Sequence, residues 1–121
     1  MHMHHLQAHT VETGVQVFGE TNMINKDERL LRMTEEFFEL IRSAGLKFND
    51  AAAMLSYEYY ERPRGEVSQE IAGAQCTLFS FAESRGIDVE TVTLKELARV
   101  LNKKEEARTK HAAKPASMRA A

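Results

Sequence analysis

Two long segments with helical periodicity constrain this chain more than any other feature. Apolar residues recur at three- and four-residue spacing over residues 26–44 and 66–85. No segment alternates with the period of two for long enough to propose a strand. Asn25, with Glu28 three residues later, forms an N-cap signature in front of the first segment. The sequence therefore predicts an all-α fold, a bundle of four to five helices.

Weaker signals fill most of the remaining chain. Residues 1–7 are predicted to be mobile, a short helix follows from about Leu6 to Phe18 with an interruption at Gly14, and residues 18–22 are predicted to turn. A middle helix is predicted to start at Asp50 and to end at about Tyr60. The last helix is predicted to start at Thr93, with Glu96 three residues later in the cap pattern, and to end at about Ala113. Gly45 and Gly86 are predicted to end the two long helices.

The chain is predicted to be one helical domain with short extensions. We expect residues 1–24 to form an N-terminal segment, residues 25–113 the helical domain, and residues 114–121 a flexible tail. The net charge is -2, so no basic field is available for nucleic acid. No apolar run approaches the roughly 20 residues that a bilayer requires. These features predict a cytoplasmic protein that binds neither membrane nor nucleic acid.

The first long helix carries acidic residues between two apolar patches. Advancing 100° per residue places Glu35, Glu36 and Glu39 in one stripe together with Arg32. Carboxylates three residues apart meet on one side of a helix, and a shared cation relieves their repulsion most directly. The apolar flanks weaken the competing interpretation that this stripe is an ordinary solvated face.

The second long helix repeats this arrangement, with Glu66 and Glu70 at the start of its polar stripe. Antiparallel packing of the two helices would bring Glu36, Glu39, Glu70 and Glu66 around a common point. Oxygen ligands select hard cations, so the pattern predicts Mg²⁺ or Mn²⁺. A di-iron site is disfavoured, because no histidine follows these acids in the Glu-x-x-His spacing that it requires.

Magnesium held by few carboxylates keeps positions for water and for substrate phosphates, which suggests phosphoryl chemistry. The positive partner is predicted in the last helix, where Arg99 and Lys103 fall on one side with Lys95 and Asn102.

With these residues identified, the chain resembles the all-α nucleoside triphosphate pyrophosphohydrolases of the MazG-like superfamily. The family pattern is E-x-x-E followed by E-x-x-D on a second helix. Glu36 and Glu39 supply the first half, and Glu70-Ile71-Ala72-Gly73 aligns with the second. The resemblance covers residues 25–108, and it is closest to short phage-borne members that share the Phe18-Gly19-Glu20 start. Gly73 stands where the motif has Asp, so one of four expected ligands is absent.

The resemblance implies hydrolysis between the α and β phosphates, which releases a nucleoside monophosphate and pyrophosphate. It also implies a homo-oligomer, a dimer or a tetramer, because family members build their sites with help from neighbouring subunits. The second apolar faces of the two long helices agree with this expectation, since a four-helix chain cannot cover them all.

The leading hypothesis is therefore a Mg²⁺-dependent enzyme that acts on a (deoxy)nucleoside triphosphate. The proposed roles are metal binding for Glu36, Glu39, Glu70 and Glu66, catalysis for Glu35 and Glu36, phosphate binding for Arg32, Arg99 and Lys103, and base binding for Phe18, Asn22 and Asn25. The alternative is a nucleotide-binding or interaction protein of the same fold that lost metal binding with Gly73. A small DNA-binding protein that uses the basic last helix is the weaker third class, since no helix-turn-helix partner is evident.

Overall fold

A computed structural model describes residues 1–118 of the chain. All regular elements within that range are helical, which confirms the all-α prediction. The helices are α1 (Met3–Phe18), α2 (Glu20–Ile24), α3 (Lys26–Ser43), α4 (Phe48–Tyr60), α5 (Val67–Ser84), α6 (Val89–Asn102) and α7 (Lys104–Ala112), followed by a 3₁₀ turn (Ala116–Met118). No helix in this part of the chain is long and apolar enough to cross a bilayer.

The two long predicted helices are confirmed as α3 and α5. The Glu28 N–H donates to Asn25 Oδ1 at 3.0 Å, so Asn25 caps α3 as predicted. Gly45 ends this helix with φ of +99°, and the Leu46 N–H donates back to the Ile41 carbonyl. A positive φ at this position favours glycine because it has no Cβ to collide with the backbone.

Two predicted helix starts are wrong. The first residue of α4 is Phe48, so Asp50 lies in the first turn of the helix instead of capping it. At this position the negative carboxylate interacts favourably with the helix dipole. The cap of α6 is Asp88, whose Oδ2 accepts from the Thr91 N–H at 2.9 Å and the Thr91 hydroxyl at 2.6 Å. This helix therefore begins several residues before Thr93.

The last predicted helix is also divided. The chain leaves helical geometry at Lys103, where φ is -120° and ψ is 37°, so α6 and α7 are separate elements. The predicted tail contains the 3₁₀ turn, and residues 119–121 lie outside the described part.

The N-terminal region is more helical than the sequence predicts. The first helix starts at Met3 and runs through Gly14 without interruption, and α2 replaces the predicted turn. A Cβ at Gly14 would overlap the Sδ and Cε atoms of Met23. Gly14 therefore does not break the helix, and it lies where the flexible end of the Met23 side chain approaches closely.

The chain divides into two compact units. Unit 1 comprises residues 1–34 and the residues from Ile87 onward, and α1 packs there with α2, α6 and α7. Its buried residues are Thr13, Val17 and Glu28. Unit 2 comprises residues 35–86, where Ala82 is the one buried residue among those described. Each unit thus leaves most of its apolar side chains in contact with water.

Candidate functional site

Three carboxylates of α3 form an acidic cluster in unit 2. Glu35, Glu36 and Glu39 each offer a carboxylate oxygen, and these atoms all lie within 4.8 Å of one another. The helix produces this proximity because residues three and four positions apart are neighbours on its surface. Glu35 is half-buried, whereas the other two side chains are exposed. The structure thus brings together the three acids that the sequence places in one stripe of this helix, two of which form the first motif.

The donor set of the acidic cluster fits Mg²⁺. All donors are carboxylate oxygens, which are the ligands that a hard cation prefers. At bonds of 2.0–2.1 Å, opposite oxygens of an octahedron lie about 4.1 Å apart. The oxygens of the cluster all lie within 4.8 Å of one another, so side-chain rotation can bring them to this separation.

Glu66 and Glu70, the other two predicted metal ligands, lie outside this group. The carboxylate of Glu66 caps α5: it accepts from the Ser68 N–H at 3.1 Å, the Gln69 N–H at 2.9 Å and the Ser68 hydroxyl at 2.6 Å. These hydrogen bonds, that of the Ser68 hydroxyl first, lower the pKa of Glu66. The structure therefore gives Glu66 a capping contact that the sequence analysis did not anticipate.

Two glycines lie at or near the second motif: Gly65 precedes it, and Gly73 is its last residue. The carboxylate of Glu70 folds against Gly65, where a Cβ would overlap Oε1. A Cβ at Gly73 meets no described atom within 4 Å. Packing within the described chain therefore does not require glycine at position 73, although glycine costs about 1 kcal/mol relative to alanine inside a helix.

Unit 1 contains a buried polar cluster that the sequence did not reveal. Glu28 is 2% exposed, and its Oε1 lies 3.1 Å from Arg32 Nε and 3.4 Å from His111 Nε2. Arg29 donates to Asn22 Oδ1 beside them. We use the name buried polar cluster for these five residues. Arg32, predicted to bind phosphate, is thus paired with Glu28, and its side chain is only 14% exposed.

Burial sets the charge of this cluster. The pKa of His111 is lowered chiefly by desolvation, and then by the positive charges of Arg32, Lys114 and Arg29, while Glu28 opposes the shift. His111 is therefore neutral at pH 7. The Glu28 carboxylate then faces the guanidinium groups of Arg32 and Arg29 in this cluster.

A cavity of about 400 Å³ lies beside the buried polar cluster, within unit 1. Phe18, Asn22, Arg108 and His111 are among its lining residues, and the rings of Phe18 and His111 are tilted with centroids 5.7 Å apart. Arg108 donates to the carbonyl of Val17 and so attaches α7 to the end of α1. Two residues predicted to bind the base, Phe18 and Asn22, thus share one cavity.

Other predicted substrate contacts lie elsewhere. Asn25 caps α3, and the guanidinium of Arg99 bonds to the carboxylate of Glu96 one turn away, with 3.0 Å from Nε to Oε1. Lys103 is exposed at the break between α6 and α7. Sequence analysis missed Arg108 and His111, and no local pattern could have found them, because each meets partners about 90 residues away along the chain.

Comparisons with family models, curated proteins and solved structures find no match to this chain. The resemblance to the MazG-like superfamily accordingly depends on the motif residues themselves.

Proposed function

We propose that this chain is a Mg²⁺-dependent nucleotide pyrophosphohydrolase of the MazG-like type, which cleaves a (deoxy)nucleoside triphosphate to the monophosphate and pyrophosphate. The observation that carries the proposal is the acidic cluster, because its three carboxylates coincide with the E-x-x-E motif and the Glu before it. It is this coincidence with the motif that supports the proposal, because exposed acidic groups are common without an ion.

The three residues of the acidic cluster would have different roles in metal binding and catalysis. Glu36 and Glu39 would hold the ion from the exposed side of α3. Glu35, half-buried beside them, would orient a water molecule and accept its proton. Bound Mg²⁺ would neutralise phosphate charge and make water a better nucleophile. Glu70 would add a further carboxylate if its side chain turned away from Gly65.

For substrate binding we keep residues that the sequence predicts. The cavity of unit 1 has the size of a small-molecule pocket, with an aromatic ring in Phe18 and an amide in Asn22, the groups that stack on a base and hydrogen-bond to it. Arg99 and Lys103 remain the proposed phosphate contacts, because both are exposed and positively charged.

The alternative function is nucleotide binding without hydrolysis. Gly73 favours it, since the position of the last motif carboxylate carries no side chain. Glu66 does not replace that carboxylate while its oxygens cap α5.

Pyrophosphate release from a panel of nucleoside and deoxynucleoside triphosphates, with and without Mg²⁺, tests the proposal. We expect Mg²⁺-dependent release that Glu36→Gln, Glu39→Gln and Glu70→Gln each largely abolish. The matched control is Glu83→Gln, which removes one exposed charge of unit 2 outside the motif. Thermal melts of the cluster variants should hold or rise, because a like-charge contact is relieved.

Parent activity that survives all three substitutions would refute the proposed metal site. Tight nucleotide binding by a parent that releases no pyrophosphate would instead support the alternative.

A further inference from the structure

Histidines are concentrated at the start of the chain. Four of the five in the sequence stand at positions 2, 4, 5 and 9, and all four are exposed to water. The sequence predicts that residues 1–7 are mobile, which would leave these side chains without a fixed arrangement. In the structure α1 instead begins at Met3, and the N–H groups of His5 and Leu6 both donate to the His2 carbonyl, at 3.0 and 3.1 Å. The backbone that carries the first three histidines therefore has a fixed geometry.

The rings of His2, His4 and His5 gather on the surface of unit 1, and we name them the histidine triad. Their centroids lie 4.1 Å apart for His4 and His5, 5.8 Å for His2 and His5, and 6.0 Å for His2 and His4. Two imidazoles that bind one tetrahedral zinc ion through bonds of about 2.0–2.1 Å have centroids about 5 Å apart. The three measured separations lie on both sides of this value, so the rings are already spaced as ligands of one ion.

The ring nitrogens have to turn toward a common point before they can bind an ion. Among the His, Cys, Asp and Glu side chains of residues 1–118, three donor atoms converge to within 4.8 Å in the acidic cluster and not in the histidine triad. Side-chain rotation supplies this turn, because exposed side chains exchange between staggered rotamers within nanoseconds. The change is confined to side chains, since the backbone of the triad is already helical from Met3 onward.

From this arrangement we propose that His2, His4 and His5 bind one divalent transition metal ion of the zinc type, with water in the fourth position. Imidazole nitrogen suits Zn²⁺, Cu²⁺ and Ni²⁺, whereas Mg²⁺ selects oxygen ligands. Three protein ligands and one water are a common coordination of tetrahedral zinc. The proposal goes beyond the proposed function, because it uses neither the acidic cluster of unit 2 nor the cavity of unit 1.

A bound ion would fix the start of α1. His2 precedes the helix in extended geometry, and His4 and His5 belong to its first turn, so one ion joins the residue before the helix to the turn that follows. Since the ion binds the folded arrangement of the three rings, zinc should stabilise α1 by mass action. This is the helix that supplies Thr13 and Val17, two of the buried residues of unit 1.

Calorimetric titration of Zn²⁺ into the full chain at pH 7.5, with Mg²⁺ in excess, tests the histidine triad separately from the acidic cluster. We expect one saturable zinc site per chain. His2→Gln, His4→Gln and His5→Gln should each raise the dissociation constant for zinc about tenfold or more, because loss of an outer-shell partner alone costs 10–100-fold. The matched control is His9→Gln, which removes an exposed imidazole one turn beyond His5 and should leave the dissociation constant nearly unchanged.

NMR of the imidazole rings identifies the ligands directly. Zinc should shift the ring signals of His2, His4 and His5 and leave those of His9 and His111 in place. The affinity should fall at pH 5.5, because protons compete with the ion for the ring nitrogens.

Four outcomes would overturn the proposal. They are a parent that shows no saturable zinc binding at 100 µM, triad variants that bind zinc as the parent does, an equal loss of affinity in His9→Gln, and a ratio of one ion to two chains. An equal loss in His9→Gln would place the ion between His5 and His9, which are neighbours on the helix surface. A ratio of one to two would mean that the ion joins two copies of the chain.

Discussion

Replacement of Glu28 by glutamine should destabilise the protein more than any other single loss of charge in unit 1. The side chain keeps its size, but the negative charge that faces Arg32 and His111 disappears. Removing one member of a buried ion pair typically costs 3–5 kcal/mol, because the remaining charge is left without compensation. Arg29 is partly accessible to water, so solvent relieves some of this penalty. We therefore expect a loss of about 3 kcal/mol, near the lower limit.

Urea denaturation followed by circular dichroism measures this loss. With a slope of about 2 kcal/mol per molar urea, the midpoint should fall by about 1.5 M. The matched control is Asp27→Asn, which removes the adjacent and exposed charge in the first turn of α3 and should cost less than about 1 kcal/mol. All variants are compared at one protein concentration, since an oligomer gains stability by mass action. Equal, small effects of the two substitutions would refute the idea that Glu28 anchors buried charge.

Two further predictions concern His111 and Gly73. Because the pKa of His111 lies below its usual value of 6.5 in the folded chain, the unfolded chain binds more protons, and stability should fall as the pH drops through 6.5. Urea midpoints at pH 7.5 and 5.5 should differ less in His111→Gln than in the parent; an unchanged difference would contradict this. Gly73→Asp should hold or raise the unfolding free energy by a few tenths of a kcal/mol, because a Cβ there meets open space. A loss above about 1 kcal/mol by urea denaturation would mean that something packs on Gly73.

Local signals were sufficient for much of the helical structure. The N-cap at Asn25 and the glycine stop at Gly45 bound α3 because both devices act within a few residues of the helix end. The acidic cluster was also predictable, since helix geometry alone places residues three and four apart together. The prediction of a helix start failed where two possible N-cap residues lie close together. Both Asp and Thr cap helices, and the structure shows that Asp88, not Thr93, caps α6.

The sequence by itself determined that this chain is helical and that three acids of α3 lie side by side, since both follow from the period of one helix. Only the tertiary structure decided that Glu28 is buried against Arg32 and His111, and that Phe18 and Asn22 share a cavity with Arg108. Apart from the Glu28–Arg32 pair, whose residues lie one turn apart on α3, these contacts join residues more than 80 positions apart in the chain. Their formation depends on how α7 packs against α1 and α2, and no periodicity within a single helix encodes that packing.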